Sequence, residues 1–465
     1  MKINPRTHEA YSLFHDAILA FQRAESTGVR VDVPYMEEQK VLLTERINKL
    51  ELEFKNTNFY KHWNHVTSGK VNIHSGEQLA HFLYDVKKVA VLKKTDTGRG
   101  STEDETLRLL NIPELELLLT LKKFKRLRDY NLESYLREQI NGVIHPFFNL
   151  HLVRTYRSSS DSPNFQNIPI RDEESMHIIR GAIIPRPMHQ LLEIDFSGLE
   201  VRIAACYHKD PTMLKYLREN YDLHSDMTSQ IFKLDKFDKQ KHDTLRQATK
   251  NGFVFPEFYG DYYANCAKNM ACGWCKLPQS IWKPGKGIMI GDQYLSDHLI
   301  SKGLKSFNVF TDHIKDIEND FWGNRFSDYA LWKKRWWNIY CKYGYIDLLT
   351  GFRCSGIMAR NDCINYPVQG SAFHCNLWSF IELDKVMRSE KWDTRIIGQI
   401  HDSIIMDVNP TELSHVVEVA HRITCEELPK AWKWIIVPLD IDMALCPVNA
   451  SWKEKEKFNW KNLKN

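Results

Sequence analysis

We predict an α+β fold for this chain of 465 residues from three stretches of its sequence. In QLLEIDFSGLEVR, residues 190–202, an apolar run is broken by Ser197-Gly198, which predicts a buried strand that turns into a helix. In RIIGQIHDSIIMDV, residues 395–408, two apolar runs meet at His401-Asp402-Ser403, which predicts a hairpin. Residues 39–55, QKVLLTERINKLELEFK, have the apolar spacing of an amphipathic helix.

The composition is typical of a folded globular protein, with 43% hydrophobic and 26% charged residues. No segment approaches the ~20 apolar residues of a membrane-spanning helix, and the N-terminal residues lack the apolar core of a signal peptide. Ten cysteines are too few for a disulfide scaffold in a chain of this length, which favours reduced thiols. We therefore expect a cytoplasmic protein with no membrane partner.

Two aspartates stand at the ends of the predicted strands. Asp195 closes the first strand, and Asp402 lies at the bend of the hairpin. Two such carboxylates side by side would repel each other unless a divalent cation lay between them. Because Mg²⁺ is typically held by one or two carboxylates and by substrate phosphates, we predict that this pair performs phosphoryl transfer.

Residues 242–263, HDTLRQATKNGFVFPEFYGDYY, combine cations with aromatic residues. Arg246 and Lys250 are four positions apart, so on a helix they share a face and can hold a triphosphate together. Aromatic side chains on which a base can stack follow at Phe253, Phe255, Phe258 and Tyr259. The alternative is an ordinary core helix with two surface cations, and Pro256 argues against a straight helix.

Other stretches offer contacts to a polyanion or a metal. The helix at 121–140 carries cations that could line a phosphate backbone, although a solvated helix face explains them equally: Lys122, Lys123, Lys125, Arg126 and Arg128. Residues 151–171 and 361–371 are polar loops with side chains suited to contact nucleic acid. The spacing of Cys266, Cys272 and Cys275 allows a zinc site, but no fourth ligand is near and free thiols are the simpler interpretation.

Several of these stretches resemble the motifs of family-A (polymerase-I-like) DNA polymerases. DFSGLEVR resembles the first palm motif, RQATKNGFVFPEFYG the fingers-helix motif, and QIHDSI the second palm motif. TYRSSSDSPNFQNIPIR, INYPVQGS and a thumb-like run from Ser75 through KKTDTGRGST to the basic helix also match. The motifs occur in the family's order and cover nearly the whole chain.

The resemblance implies a right-hand polymerase fold, in which a palm with an antiparallel sheet carries helical fingers and a helical thumb. The expected domains are an N-terminal helical lead-in packed on the palm and thumb base (1–60), the thumb (61–150), the first part of the palm (151–230), the fingers (231–345) and the second part of the palm (346–465). The implied activity is DNA-templated DNA synthesis, in which a primer 3′-OH is extended with dNTPs by two-metal-ion nucleotidyl transfer and pyrophosphate leaves.

The resemblance also assigns roles by motif position. Asp195, Asp402 and the backbone carbonyl of Phe196 would bind two Mg²⁺ ions, for which Mn²⁺ is a possible substitute, and Lys250 would protonate the leaving pyrophosphate. Glu200 would exclude a ribose 2′-OH. The implied nucleotide-binding residues are Glu200, His224, Arg246, Lys250, Phe255 and Tyr259. The implied contacts with primer or template are Arg157, Asn164, Gln166, Asn167, Asn365, Gln369, Gln399 and His401.

The chain departs from the family pattern at several points. Ser403 stands where the family usually has Glu, and Gly198 replaces a common Gln. The fingers motif carries one extra residue, which leaves open whether Val254 or Phe255 faces the nucleotide sugar. The chain begins where the polymerase region of the family begins, so we expect no 3′–5′ or 5′ nuclease activity. By analogy with phage replication sets, we expect a monomer in the host cytoplasm that works with separate exonuclease, helicase or processivity proteins.

Two alternative functions share most of these features. A single-subunit RNA polymerase has the same fold and aspartates, but Glu200 argues against it because a ribose gate is useless when ribonucleotides are the substrate. A nucleic-acid-binding relative without catalysis is disfavoured by the intact set of Asp195, Asp402, Arg246 and Lys250.

Overall fold

A computed structural model describes residues 3–95, 97–169 and 172–461, and it confirms the predicted α+β fold. The α-helices are α1 (His8–Thr27), α2 (Val33–Asn56), α3 (Asn58–Val66), α4 (Gly76–Ala80), α5 (Asp104–Leu109), α6 (Pro113–Arg126), α7 (Glu133–Glu138), α8 (Glu173–Gly181), α9 (Leu199–His208), α10 (Pro211–Arg218), α11 (Leu223–Ile231), α12 (Lys239–Thr249), α13 (Phe255–Tyr259), α14 (Tyr263–Lys268), α15 (Leu295–Ser301), α16 (Phe307–Asp320), α17 (Ser327–Tyr343), α18 (Arg360–Ser389), α19 (Leu413–His421) and α20 (Leu428–Ala431). The predicted domain boundaries stay predictions, and the end of the polar loop at Ile170 and Arg171 lies outside the described residues.

The strands are β1 (Val29–Arg30), β2 (Val143–Ile144), β3 (Phe147–Asn149), β4 (Ser159–Asp161), β5 (Gln190–Phe196), β6 (Met289–Ile290), β7 (Gln293–Tyr294), β8 (Tyr345–Asp347), β9 (Arg353–Ser355), β10 (Arg395–Ile400), β11 (Ser403–Val408), β12 (Ile441–Leu445) and β13 (Glu456–Lys457). A five-stranded antiparallel sheet has the order β10-β11-β5-β12-β13. The predicted strand at 190–196, its following helix and the predicted hairpin are all confirmed.

The central position of β5 explains its sequence. This strand pairs with β11 on one side and β12 on the other, and β11 is buried along its whole length. Strands covered on both faces lose the apolar–polar alternation of a half-exposed strand and become nearly continuous apolar runs. Two acidic residues of these strands are paired with cations, Glu193 with Lys455 and Asp407 with Arg186, whereas neither Asp195 nor Asp402, in the turn before β11, forms a salt bridge among the described residues.

Two apolar cores lie on either side of helices α9 and α18. The sheet core contains β5, β10, β11, α1 and most of α18, and the helical core contains residues from α11 to α17. Helix α9 contributes Ile203 to the sheet core and Ala205 to the helical core. Helix α18 does the same with Ala372 and Val368. Side chains that leave α9 and α18 are thus placed between the two parts of the molecule.

Several helices are interrupted by π-helical turns, which cover His81–Val86, Leu127–Leu132, Lys250–Val254, Asn269–Trp274, Phe321–Arg325 and Arg422–Glu427. The basic helix expected at 121–140 is therefore α6, a π-turn and α7. Helix α4 begins directly after Ser75, whose hydroxyl accepts the backbone N–H of Gln78 at 3.1 Å. Within the described residues, no helix is both long enough and apolar enough to cross a bilayer.

A buried histidine in the sheet core gives the fold a defined acid sensitivity. His374 on α18 is fully buried between the Thr350 hydroxyl at 2.6 Å and the Tyr156 carbonyl at 3.3 Å, against the rings of Phe14 and Phe352. Burial lowers the pKa of His374 from 6.5 to about 3, so the folded protein holds this ring neutral.

We predict that His374 weakens the fold as the pH falls below 6.5, because the unfolded chain then binds a proton that the folded chain excludes. Between pH 7 and 5 the loss from this group is about 2 kcal/mol. Urea unfolding midpoints at the two pH values should therefore differ more in the wild type than in His374→Gln, which cannot titrate. Equal shifts in the two proteins would contradict this role of His374.

Candidate active site

The two predicted aspartates meet at one end of the sheet, although they lie far apart in the chain. Ser403 at the start of β11 is the register partner of Asp195 on β5, and Asp402 directly precedes Ser403. The backbone N–H of Phe196 donates to the Asp402 carbonyl at 3.4 Å. The pairing of the strands, and not a local motif, therefore places the two carboxylates side by side.

The Asp402 turn is held in an unusual backbone conformation. His401 has a φ of 51°, in the left-handed region that side-chain-bearing residues seldom adopt. Its carbonyl accepts hydrogen bonds from Asn376 of α18 at 3.2 Å and from the side chain of Gln399. These donors fix the turn against the core, which suits a residue whose carboxylate must keep its position.

Both carboxylates are held in an environment that disfavours their charge. Burial raises the pKa of Asp195 to about 6, and the nearby Asp402 adds to this effect. Burial also raises the pKa of Asp402, against the opposing influence of Arg157 and His401. The Ser403 hydroxyl donates to Asp195 Oδ1 at 2.8 Å and partly offsets the cost of its charge.

These residues fit a divalent cation. The buried Oδ1 of Asp402 has no hydrogen-bond partner among the described residues, and a buried carboxylate oxygen without a partner is costly. A cation between Asp195 and Asp402 would remove both this cost and their mutual repulsion. The described parts of the chain hold no group of three or more metal-binding side chains, so this pair suits an ion completed by substrate oxygens better than a closed protein cage.

Glu200 lies next to the carboxylate pair on the first turn of α9. Its carboxylate forms an ion pair with Arg157. Burial raises the pKa of Glu200, while the Arg157 guanidinium lowers it. Arg157 also influences Asp402 and His401, so one guanidinium links the gate candidate to the candidate metal ligand. From the sequence alone, Arg157 was assigned only to DNA, and this link was not predicted.

The extra residue of the fingers motif is absorbed by the π-turn at Lys250–Val254. The N–H of Phe255 donates to the Lys250 carbonyl, five residues back instead of four. Val254 is thereby buried in the helical core, and Phe255 lines a cleft beside Glu200 and Tyr259. Of the two residues that the sequence left open, the structure thus places Phe255 at the site.

Cations and a neutral imidazole gather beyond this cleft. Lys250 Nζ lies 5.4 Å from the centre of the Phe255 ring, and the His224 ring lies 5.6 Å from it. Burial lowers the pKa of His224 to about 4, and Lys250 and Arg246 contribute to this lowering. Arg246 is held by Asp222, at 3.0 Å from Nη2 to Oδ1. The three residues predicted to contact phosphate, His224, Arg246 and Lys250, therefore lie close together.

Asp222 is a site residue that was not predicted from the sequence. It caps α11 by accepting the N–H of Ser225 at 3.2 Å while its other contacts orient Arg246. The signal was present, because Asp at the first position of D-x-x-S is a typical helix N-cap. The local cap was recognisable, but its contact with a helix 24 positions downstream was not.

A cleft between α9, α13, α17 and α18 joins the two halves of the site. Its walls include Glu200, His208, Phe255, Tyr259, Tyr329 and Asn365. Asn365 Nδ2 donates to the Tyr259 carbonyl at 3.2 Å and so ties α18 to the end of α13. Gly260 then ends α13 with a φ of 94°, where any side chain would collide with Asn361. The chain turns away from the cleft at this point.

The predicted DNA contacts fall into two groups. Gln166 and Gln399 are buried, and Gln166 Nε2 donates to Gln399 Oε1 at 2.7 Å, while Gln399 Nε2 donates to the His401 carbonyl. Asn167 and His401 are exposed, and Gln369 is half-buried. The Asn164 side-chain oxygen accepts the backbone N–H groups of Gln166 and Asn167 at 3.1 and 3.0 Å, which shapes this loop.

Two further sequence hypotheses find little support in the geometry. Lys123 and Lys125 of the basic helix are engaged by Asp172 and Glu51, so this face is not a free row of cations. Cys266 donates to Glu257 at 3.4 Å and belongs to no cluster of metal-binding side chains within the described segments. The zinc hypothesis for Cys266, Cys272 and Cys275 therefore gains nothing from the structure.

Comparison with known proteins agrees with this architecture. The family model described as DNA polymerase family A matches residues 34–454. DNA polymerase I of Geobacillus stearothermophilus is 25% identical over 424 residues, which are 90% of this chain and 43% of that protein. The thermostable DNA polymerase I of Thermus thermophilus is 24% identical over 453 residues, which are 93% of this chain and 47% of that protein.

A solved structure has the same fold. The POL domain of Pol1 from M. smegmatis, in a complex with DNA primer-template and dNTP, superimposes with a TM-score of 0.72 at 22% identity, over 95% of this chain and 70% of that one. This similarity confirms the predicted right-hand fold. The chain spans less than half the length of the curated relatives described above.

Proposed function

This chain belongs to DNA polymerase family A, and we propose that it extends a DNA primer with deoxynucleotides on a DNA template. The observation that carries this proposal is that Asp195 and Asp402 lie side by side next to Glu200, which lines the cleft, while Lys250 and His224 lie against Phe255 of the same cleft. Carboxylates for a metal ion and cations for phosphate both serve the triphosphate of a nucleotide, and the aromatic side chains of the cleft can face its sugar and base.

Asp195 and Asp402 would hold Mg²⁺, or Mn²⁺ in its place, together with the backbone carbonyl of Phe196. When bound, two such ions supply a lowered pKa for the primer 3′-OH and stabilise the charge that develops on pyrophosphate. The role of the protein in this reaction is placement, because phosphoryl transfer depends mainly on position and electrostatics. Ser403 keeps Asp195 in one orientation through its hydroxyl group.

Arg246, Lys250 and His224 would hold the triphosphate of the incoming nucleotide. Asp222 fixes the plane of the Arg246 guanidinium, which suits two-point contact with phosphate. The Lys250 ammonium can give its proton to the leaving pyrophosphate oxygen. His224 is kept neutral by burial, so it offers a hydrogen bond without a further charge.

Glu200 would face the sugar, with Phe255 and Tyr259 completing the cleft. The ion pair with Arg157 restricts the Glu200 side chain, so a ribose 2′-OH would meet a rigid wall. For the primer and template we propose contacts from Asn164, Asn167, Asn365, Gln369 and His401, and from Gln166 and Gln399 once the hydrogen bond from Gln166 to Gln399 opens. Work with separate replication proteins, absence of nuclease activity and a cytoplasmic location remain predictions.

The Asp402→Asn change tests the metal pair, since it keeps the shape of the side chain and removes its charge. We expect primer extension with Mg²⁺ to fall by roughly a thousandfold or more. The melting temperature without metal should stay the same or rise, because the repulsion between the carboxylates is gone. Asp312→Asn, at an exposed position of α16, is the matched control. Near-normal extension by Asp402→Asn would refute the assignment.

Glu200→Ala tests the proposed sugar gate. We expect the ratio of kcat/KM for a dNTP to that for the matching rNTP to fall about tenfold or more, because the wall facing the 2′-OH is removed. Glu219→Ala, at an exposed position after α10, should leave the ratio unchanged. A wild-type enzyme that prefers rNTPs would instead favour the single-subunit RNA polymerase interpretation.

A further inference from the structure

A buried carboxyl group lies behind the helix that carries the aromatic wall of the cleft. Glu257 of α13 is only 1% exposed. It comes two positions after Phe255 and two before Tyr259, so its side chain leaves the helix on the opposite face. Trp322 Nε1 donates to Glu257 Oε2 at 2.8 Å, and Cys266 Sγ donates to Oε1 at 3.4 Å.

The backbone of the same residue is also anchored. Lys333 of α17 donates from Nζ to the Glu257 carbonyl at 2.7 Å and lies 3.7 Å from the centre of the Trp322 ring. The same carbonyl also accepts the backbone N–H of Gly260 at 3.2 Å, and a cation at the last turn of a helix is favourable. Residues from α14, the π-turn at Phe321–Arg325 and α17 thus all engage Glu257.

Glu257, Cys266, Trp322 and Lys333 form the Glu257 cluster. Burying its polar groups costs more free energy than burying apolar side chains. Burial raises the pKa of Glu257 to about 8, with a contribution from Glu318 of α16, so the group keeps its proton at neutral pH. Burial lowers the pKa of Lys333 to about 7. Apolar side chains would pack here at lower cost, as Phe258 does next door, so the polar contacts supply direction rather than net stability.

The orientation of the side chains of α13 about the helix axis is not determined by α13 alone. Helix α13 has five residues, follows the π-turn at Lys250–Val254 and has Pro256 near its start. A regular α-helix continued from Lys250 would bring Val254, four positions on, to the face that Phe255 now occupies. A regular α-helix and the observed π-turn thus give α13 two different rotations, and contacts from outside the helix can favour the observed one.

We propose that Glu257 is a positioning residue that, with Trp322 and Lys333, sets the rotation of α13 so that Phe255 and Tyr259 face the nucleotide cleft. This inference rests on the proposed function. It assigns a role in substrate placement to a residue that touches neither the nucleotide nor the metal ligands. A misplacement of about 1 Å at a reacting complex can reduce rates a hundredfold, so a buried anchor of this kind has a measurable effect.

The experiment compares Glu257→Leu, Glu257→Gln and Trp322→Phe with the wild type. Single-nucleotide extension gives KM for the dNTP and kcat, and titration onto a complex with a dideoxy-terminated primer gives the dNTP Kd. We expect Glu257→Leu to raise KM and Kd about tenfold or more, with unchanged affinity for primer-template. Glu257→Gln should stay within about threefold of the wild type, because its amide oxygen still accepts from Trp322.

The energetic coupling between Glu257 and Trp322 in dNTP binding is a second readout, which a general loss of stability would not reproduce. Because Glu257→Leu and Trp322→Phe break the same contact, the double variant should be no worse in dNTP Kd than Glu257→Leu alone. Glu219→Leu, at an exposed position, is the control. If Glu257→Leu does not fold, Trp322→Phe takes its place as the test variant, and we expect it to raise the dNTP Kd by a smaller factor.

The outcomes separate the two proposals. A wild-type protein that extends no primer would overturn the proposed function and this inference with it. An active wild type whose folded Glu257→Leu and Trp322→Phe variants keep the normal dNTP Kd would overturn the inference alone. A Glu257→Gln variant as defective as Glu257→Leu would also overturn the inference alone, since the contact with Trp322 would then not be the cause.

Discussion

The repulsion between two half-buried carboxylates is the constraint on which the rest of the site depends. Asp195 lies near the end of β5 and Asp402 in the turn that leads into β11, so the pairing of these strands keeps the two residues side by side. Burial raises the pKa of both carboxyl groups, Asp402 adds to this effect at Asp195, and the Ser403 hydroxyl relieves the cost for one oxygen of Asp195. Such a site is poised to bind a cation, and the stability of the sheet supplies the energy that keeps it so.

The cationic and aromatic half of the site is positioned by side-chain contacts between helices rather than by strand pairing. Cations and aromatic side chains are carried by short helices joined by a π-turn, in a separate apolar core. The directions of these side chains come from contacts with other parts of the chain. Asp222 orients Arg246, Asn365 holds the end of α13, and Trp322 and Lys333 hold Glu257 and so the rotation of α13. Across α9 and α18, the end of the sheet thus faces a helical surface whose side chains are oriented by contacts with other elements.

The sequence was informative where local pattern and function coincide. The strand at β5, the hairpin and both aspartates could be predicted, because an apolar run that ends or bends at an acidic residue leaves few alternatives. Val254 and Phe255 could not be separated, since a π-turn has no sequence signature and shifts every later side chain by about 100°. The Arg157–Glu200 pair and the Gln166–Gln399 pair were missed because they join residues 43 and 233 positions apart.

The most direct test is the anomalous scattering of Mn²⁺ in crystals of the protein with primer-template and an incoming dNTP. We predict manganese peaks within coordination distance of both Asp195 and Asp402, about 4 Å apart if two ions are present. Crystals in which the nucleotide is bound but no manganese contacts these carboxylates would contradict the assignment of the metal pair.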